Sequence, residues 1–324
     1  MLFITNRALK EGPVSSAGRA ISFHLDDNTV QQSVYYCQRK SKEKYTELGS
    51  GAFLQHLKDS KAEQILLFIH GYSNLPESDI FPRAAKLQKL FDKKKKGMVE
   101  VVTVIWPCDN DKGIVKDYWD DQKAADLSGF SFARVLQRFE DWRSPGSKMS
   151  DPDTDVPCLK RINVLAHSMG NRVIRESIRL WGKYDRQYRI PMLFRNTFLV
   201  AADLVNETLH REESGRFISD ASRNVIVYYA SDDLALRASK VSNLKNAVAS
   251  RRLGHTGPED MRLVPMNVYS VDCDDHNTEI DKKGHTYFLD NQQGQPGAVF
   301  EDIFRAVQLG RVFGEDPDQR KFVL

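Results

Sequence analysis

Two hydrophobic periodicities divide the chain. Up to about residue 60, short apolar or alternating runs around Leu2 to Thr5, Ala20 to Leu25 and Ser33 to Cys37 are separated by Gly, Pro, Asp and Asn, as antiparallel strands would be. From Gln64 onward the runs lengthen and fill with Val, Ile, Leu and Phe: Ile65 to Ile69, Val101 to Trp106, Ile162 to Ala166, Thr197 to Ala202, Val225 to Ala230 and Asn267 to Val271. Amphipathic helical stretches fall between nearly all of them. A strand apolar on both sides must be covered on both faces, and a helix after each strand is the crossover that parallel pairing needs. The pattern predicts an α/β fold with a mostly parallel central sheet, helices on both faces and antiparallel N-terminal strands. With no internal repeat and an unbroken rhythm, residues 1–324 read as one domain. Within it, N-terminal strands take about 1–60, a loop insertion about 144–157 and a polar tail about 314–324.

Composition narrows the classes. A net charge of +3 is too mild to argue for nucleic acid or an anionic membrane surface, and the one basic run, Lys93 to Lys96, falls at a predicted helix end where it complements the helix dipole. No window has the length and apolarity of a membrane span, and the N-terminus lacks a basic leader followed by an apolar core, so a cytoplasmic protein without integral membrane association is expected. Cys37, Cys108, Cys158 and Cys273 have no CxxC pairing or histidine at metal spacing and read as free thiols. Only Cys108, in Trp106-Pro107-Cys108-Asp109, has a loop position compatible with a nucleophile.

In parallel sheets ligands bind beyond the C-terminal ends of the strands, so chemistry is sought there. The run Ile162 to Leu165 leads into Ala166-His167-Ser168-Met169-Gly170 and then an amphipathic stretch, a strand, a small-x-Ser-x-Gly turn and a helix. That is a nucleophile elbow, in which a strained turn lifts the serine hydroxyl clear of the sheet and small residues are needed two before and two after it. Ala166 stands where glycine is more usual. The strand Ile65 to Ile69 runs into His70-Gly71-Tyr72, where a glycine lets backbone N–H groups turn toward a developing oxyanion. Tyr72 N–H and Met169 N–H are the expected donors. For the acid, Asp233 after the strand Val225 to Ala230 is preferred, Asp203 after Leu199 to Ala202 is the competitor, and Asp232 is read as a helix N-cap. For the base, His285 at the Gly284 turn is preferred over His276, with His255 third. The cluster Asp272, Asp274, Asp275 and His276 lacks a recognised metal spacing, and no metal is assigned.

These motifs, Ile69-His70-Gly71-Tyr72-Ser73-Asn74, Trp106-Pro107, Ala166 to Asn171, Tyr229 to Leu236 and Gly284-His285-Thr286-Tyr287, resemble those of the α/β-hydrolase superfamily over about residues 60 to 290. Within it the chain resembles a bacterial branch catalogued as a domain of unknown function. The resemblance implies the α/β-hydrolase fold and the triad Ser168, Asp233 and His285. It departs after Trp106-Pro107, where Cys108 and the acidic Asp109-Asn110-Asp111 replace the usual small residue. Only Leu204 to Arg223 separates the Asp203 strand end from the next strand, so no large cap domain is expected. His70, Gly71, Trp106, Tyr118, Trp119 and His167 are the expected pocket walls. The sum is a serine hydrolase that needs no cofactor and cleaves a small-molecule or lipid-like carboxylic ester through an acyl-enzyme. A thioesterase, amidase or lactonase, or an inactive binding protein on the same fold, is the alternative.

Overall fold

The run Gln64–Ile69 is buried at every position and lies mid-sheet. The computed structural model describes residues 1–109, 114–144, 158–236, 251–291, 293–312 and 318–324, so the expected loop insertion lies almost wholly outside the described residues. The strands are β1 (Leu2–Thr5), β2 (Ala20–Ile21), β3 (Tyr35–Ser41), β4 (Lys44–Glu47), β5 (Gln64–Ile69), β6 (Val99–Ile105), β7 (Arg161–His167), β8 (Phe194–Val200), β9 (Ser222–Tyr229), β10 (Val268–Asp272) and β11 (Lys321–Val323). They form one sheet in the order β11-β10-β9-β8-β7-β5-β6-β1-β3-β4-β2. The main helices are α1 (Ser50–Asp59), α2 (Phe81–Lys94), α3 (Ile114–Arg143), α4 (Gly170–Asp185) and the C-terminal helix Ala298–Leu309.

Alternation along each central strand divides the core in two. Ile65, Leu67 and Ile69 of β5 and Val164 of β7 pack with Phe53 of α1, Leu136 of α3 and Ile174 of α4. Leu66 and Phe68 of β5 and Leu165 of β7 face the other way, against Leu87 and Phe91 of α2 and Phe300 and Ile303 of the C-terminal helix. Helices therefore cover both faces, as the continuous apolar runs require.

Two details, one near each terminus, differ from expectation. β1 is antiparallel to β3 yet parallel to β6, with Phe3 beside Thr103, so it extends the parallel set instead of opening the sheet as a purely antiparallel strand. All of its residues are buried, the mark of an interior strand. The end of the expected polar tail, Lys321–Val323, pairs in parallel with β10, and Phe322 packs against Tyr269 at 6.4 Å between ring centroids. After β8, residues 204–221 hold a 3₁₀ turn at Ser214–Arg216 and a one-turn helix at Phe217–Asp220, and among the described residues no cap domain covers the sheet. No described helix is long and apolar enough to cross a membrane.

At the N-terminal ends of the strands lies a buried amide ladder. Asn224 Nδ2 donates to Asn196 Oδ1 at 2.8 Å, Asn196 Nδ2 to Asn163 Oδ1 at 2.8 Å, and Asn163 Nδ2 to Gln64 Oε1 at 3.1 Å. The same amides donate to the carbonyls of Ala306, Val307 and Gly310 at the end of the C-terminal helix. This pins the helix to the sheet at the end opposite the strand termini where ligands bind.

Candidate active site

Ser168 occupies the turn between β7 and α4 with φ 53°, a left-handed conformation rare for a residue with a side chain. Its N–H donates to Val200 O at 2.9 Å, its carbonyl accepts Asp203 N–H at 3.2 Å, and Asn171 Nδ2 donates to the same carbonyl at 2.9 Å. Three hydrogen bonds, from the end of β8 and from α4, thus hold the strained residue in place. Gly170 explains the elbow's glycine: a Cβ there would lie 2.5 Å from His70 O and 2.7 Å from Ile69 O, so α4 can start against the end of β5 only without a side chain. Gly71 is also tightly placed, since a Cβ would come within 3.0 Å of Ser168 Cβ.

The histidine loop folds over from the far side. His285 Nδ1 is 2.7 Å from Asp233 Oδ2, and Asp233 is buried. A carboxylate can only accept, so Nδ1–H donates and Nε2 is left with its lone pair. Asp233 Oδ1 accepts Ala235 N–H at 2.9 Å and Leu236 N–H at 3.0 Å, which locks the carboxylate plane. Asp233, not Asp232, is therefore the residue that caps the following turn. Asp232 instead accepts a hydrogen bond from Asn277 Nδ2, which also donates to Gly284 O at 3.2 Å, and Leu234 N–H donates to Lys283 O at 3.1 Å. These bonds tie the acid loop to the histidine loop. Burial raises the Asp281 carboxyl, but the N–H groups of Lys283 (3.0 Å), Thr286 (3.1 Å) and His285 (3.4 Å) that it accepts lower it by more, to a net position below its ordinary value.

The competing residues are engaged elsewhere. Asp203 lies 3.2 Å from Arg252 Nε and accepts Tyr118 Oη–H at 2.7 Å. His276 is 3.5 Å from Glu279, and His255 belongs to the one-turn helix Leu253–Thr256. Asp274 accepts Ser231 Oγ–H, and among the described residues no group of three or more His, Cys, Asp or Glu side chains is disposed to hold a metal ion.

Ser168, His285, His167, Gly71 and Tyr72 line one cleft of about 360 Å³. In this conformation Ser168 Oγ and the His285 ring face it without a hydrogen bond between them, a looseness usual in sites without substrate. Neither Tyr72 N–H nor Met169 N–H donates to a protein acceptor among the described residues.

Several expected walls stand behind the cleft. His70 is fully buried: its Nδ1–H donates to Gly71 O at 2.8 Å, Nε2 accepts Trp106 N–H at 3.2 Å, and Trp106 Nε1 donates to His70 O at 2.9 Å. The two rings stack at 5.0 Å. Burial holds the His70 imidazole down at about 3, so it stays neutral and supports the turn at Gly71. Trp106 is fully buried too, which corrects the placing of both in the pocket wall. Tyr118 is buried beneath Tyr72, ring centroids 5.8 Å apart, and half-buried Trp119 packs edge-on to Tyr118. Cys108 is buried, its thiol pushed up by burial and donating to Asn74 O at 3.0 Å, so it cannot serve as a nucleophile. His167 does reach the cleft. Its Nε2–H donates to His285 O at 3.0 Å, and burial pushes it well below the usual imidazole range. It supports the histidine loop as a neutral donor.

Asp121 of α3 was not anticipated. It is buried and accepts Ser73 N–H at 2.9 Å, Asp109 N–H at 3.2 Å and Asn28 Nδ2–H at 2.9 Å, fastening the turn after β5 to the Trp106 loop. Burial, reinforced by Asp109 and Asp117, pushes its carboxyl up to about 8 despite those donors. The folded protein then holds a proton that the unfolded chain has already released above about pH 4, so the stability this contributes is complete at low pH and is lost as pH rises toward 8. Between pH 6 and 8, Asp121→Asn should gain on the wild type by on the order of 1 kcal/mol per pH unit. Thermal melts of both proteins across that range test this. A constant offset would contradict it.

The fold and the elbow define an α/β hydrolase. The chain belongs to the family described as alpha/beta hydrolase of unknown function (DUF900), whose model matches residues 49–293. Comparison with curated proteins finds no match.

Proposed function

We propose that the protein is a serine esterase acting through an acyl-enzyme. Ser168 Oγ attacks the ester carbonyl carbon while its proton passes to His285 Nε2, Asp233 holds the resulting imidazolium, and the carbonyl oxygen takes its charge toward Tyr72 and Met169 N–H. The C–O bond to the alcohol then breaks and the alcohol leaves with the proton from Nε2. Water, deprotonated by the same nitrogen, repeats the attack and releases the acid, so the enzyme returns to its starting state.

What supports this reading most is Ser168, left-handed at φ 53°, sharing one cleft with a histidine whose other nitrogen is bound at 2.7 Å by a buried carboxylate. A serine serving only as a helix cap would need neither that conformation nor that partner. The open cleft and the lack of a cap among the described residues suit a small-molecule or lipid-like ester. The four buried free cysteines suit a reducing compartment such as the cytoplasm. Purified protein should hydrolyse p-nitrophenyl butyrate faster than the matched thioester and anilide. No turnover of any of the three would leave the fold as a binding scaffold.

A further inference from the structure

The cleft over Ser168 continues sideways. Arg83, Asp281, Lys283 and Thr286 in its wall also line an adjoining groove of about 600 Å³, which adds Lys86, Lys282 and Asp290. The combined channel carries four cationic side chains, Arg83, Lys86, Lys282 and Lys283, against three carboxylates, each held in place by a hydrogen bond or an ion pair. Asp79 accepts Leu75 N–H and Ser78 Oγ–H, at 3.1 and 2.6 Å; Asp281 accepts the N–H groups of its own turn; Asp290 pairs with Lys86 at 2.9 Å. The cations are not engaged to the same degree. Arg83 is partly buried at the start of α2, where its Nη1 donates to the amide oxygen of Asn74, which neutralises no charge, and its nearest carboxylate oxygen, on Asp79, is 4.0 Å away. Exposed Lys282 and Lys283 form no ion pair among the described residues. Burial draws the Arg83 guanidinium from water by more than the charges of Asp79 and Asp281 compensate, so an arriving anion adds a favourable partner.

We propose that the groove running from Ser168 past Arg83 to Lys283 binds an anionic group of the substrate, so that the preferred esters carry a carboxylate or phosphate a short chain away from the scissile bond. Arg83 supplies the partly buried, directional contact, and Lys282 and Lys283 raise the potential at the groove mouth. The same cation sits close enough to the site for its charge to act on buried His167 and His70. This proposal rests on Ser168 being the nucleophile.

The test uses two matched pairs and compares kcat/KM within each. In the first, p-nitrophenyl hydrogen adipate is set against its methyl ester, which places the charge on the acyl side. In the second, p-butyryloxybenzoate is set against its methyl ester, which places it on the leaving group. Wild type should prefer the anionic member of at least one pair by about tenfold or more, a preference that weakens as salt rises. Arg83→Gln and, separately, Lys283→Gln should lower that ratio. Lys283→Gln is an exposed change that leaves the Arg83–Asn74 contact in place, and so keeps the test valid if Arg83→Gln melts early. Equal turnover within both pairs, or a ratio unchanged in both variants, overturns the anionic-substrate proposal and leaves the esterase reading standing. No turnover of any of the four esters overturns both.

Discussion

Replacing Ser168 with alanine is expected to lower kcat for p-nitrophenyl butyrate by on the order of a millionfold while leaving the melting temperature almost unchanged. The two halves of this expectation have separate causes. Loss of the hydroxyl removes the atom that forms the acyl-enzyme, and the remaining oxyanion donors can only assist attack by water. Stability should hold because the elbow is maintained by backbone groups, Ser168 N–H to Val200 O and Ser168 O to Asp203 N–H, which alanine retains. The hydroxyl itself bonds to no protein group among the described residues, so its removal orphans nothing. Alanine and serine also meet similar strain at φ 53°. Activity retained within tenfold of wild type would remove Ser168 from the mechanism.

Asp233→Asn should reduce kcat by about ten-thousandfold with a smaller effect on KM. The introduced amide can still accept from Ala235 and Leu236 with its oxygen, which leaves its NH₂ facing His285 Nδ1. The imidazole then carries its proton on Nε2, the nitrogen that must take one from Ser168. The loss should be partly relieved at high pH, where hydroxide can substitute for the missing base. Asp203→Asn provides the contrast. It uncovers buried Arg252, 3.2 Å away, and should lower the melting temperature more than it lowers kcat. Steady-state kinetics and melts of the two variants check this, and a greater kcat loss in Asp203→Asn than in Asp233→Asn would reverse the assignment of the acid.

The candidate site was legible in the chain to the extent that it obeys a local rule. Ser168, Asp233 and His285 each follow a strand end or a glycine-marked turn, and parallel sheets bring such positions together, so apolar periodicity was enough to point to them. Residues whose role depends on long-range contact were not. His70 and Trp106 look like pocket aromatics on paper; in the fold they stack on each other at the turn after β5, because a buried imidazole needs two hydrogen-bond partners and the Trp106 backbone and Gly71 supply them. Asp121 lies mid-helix in α3 with no motif around it, and Arg83 belongs to a helix whose charged face reads as solvent-exposed. The same limit applies to the fold. β1 is an apolar tetrapeptide whose direction relative to β6 is decided by a partner about a hundred residues away, and β11 is a tripeptide in a polar setting that gains strand character only from β10.

The most direct test of the central claim, that Ser168 is an activated nucleophile, is covalent labelling with a fluorophosphonate followed by peptide mass spectrometry. An activated serine forms a phosphonyl ester while fluoride leaves, whereas an ordinary serine at the start of a helix does not react at comparable rates. The account predicts a single adduct on the peptide containing Ala166 to Asn171, located at Ser168, lost in Ser168→Ala and slowed in Asp233→Asn. A folded wild-type protein that takes up no label, or takes it up equally in Ser168→Ala, would contradict it.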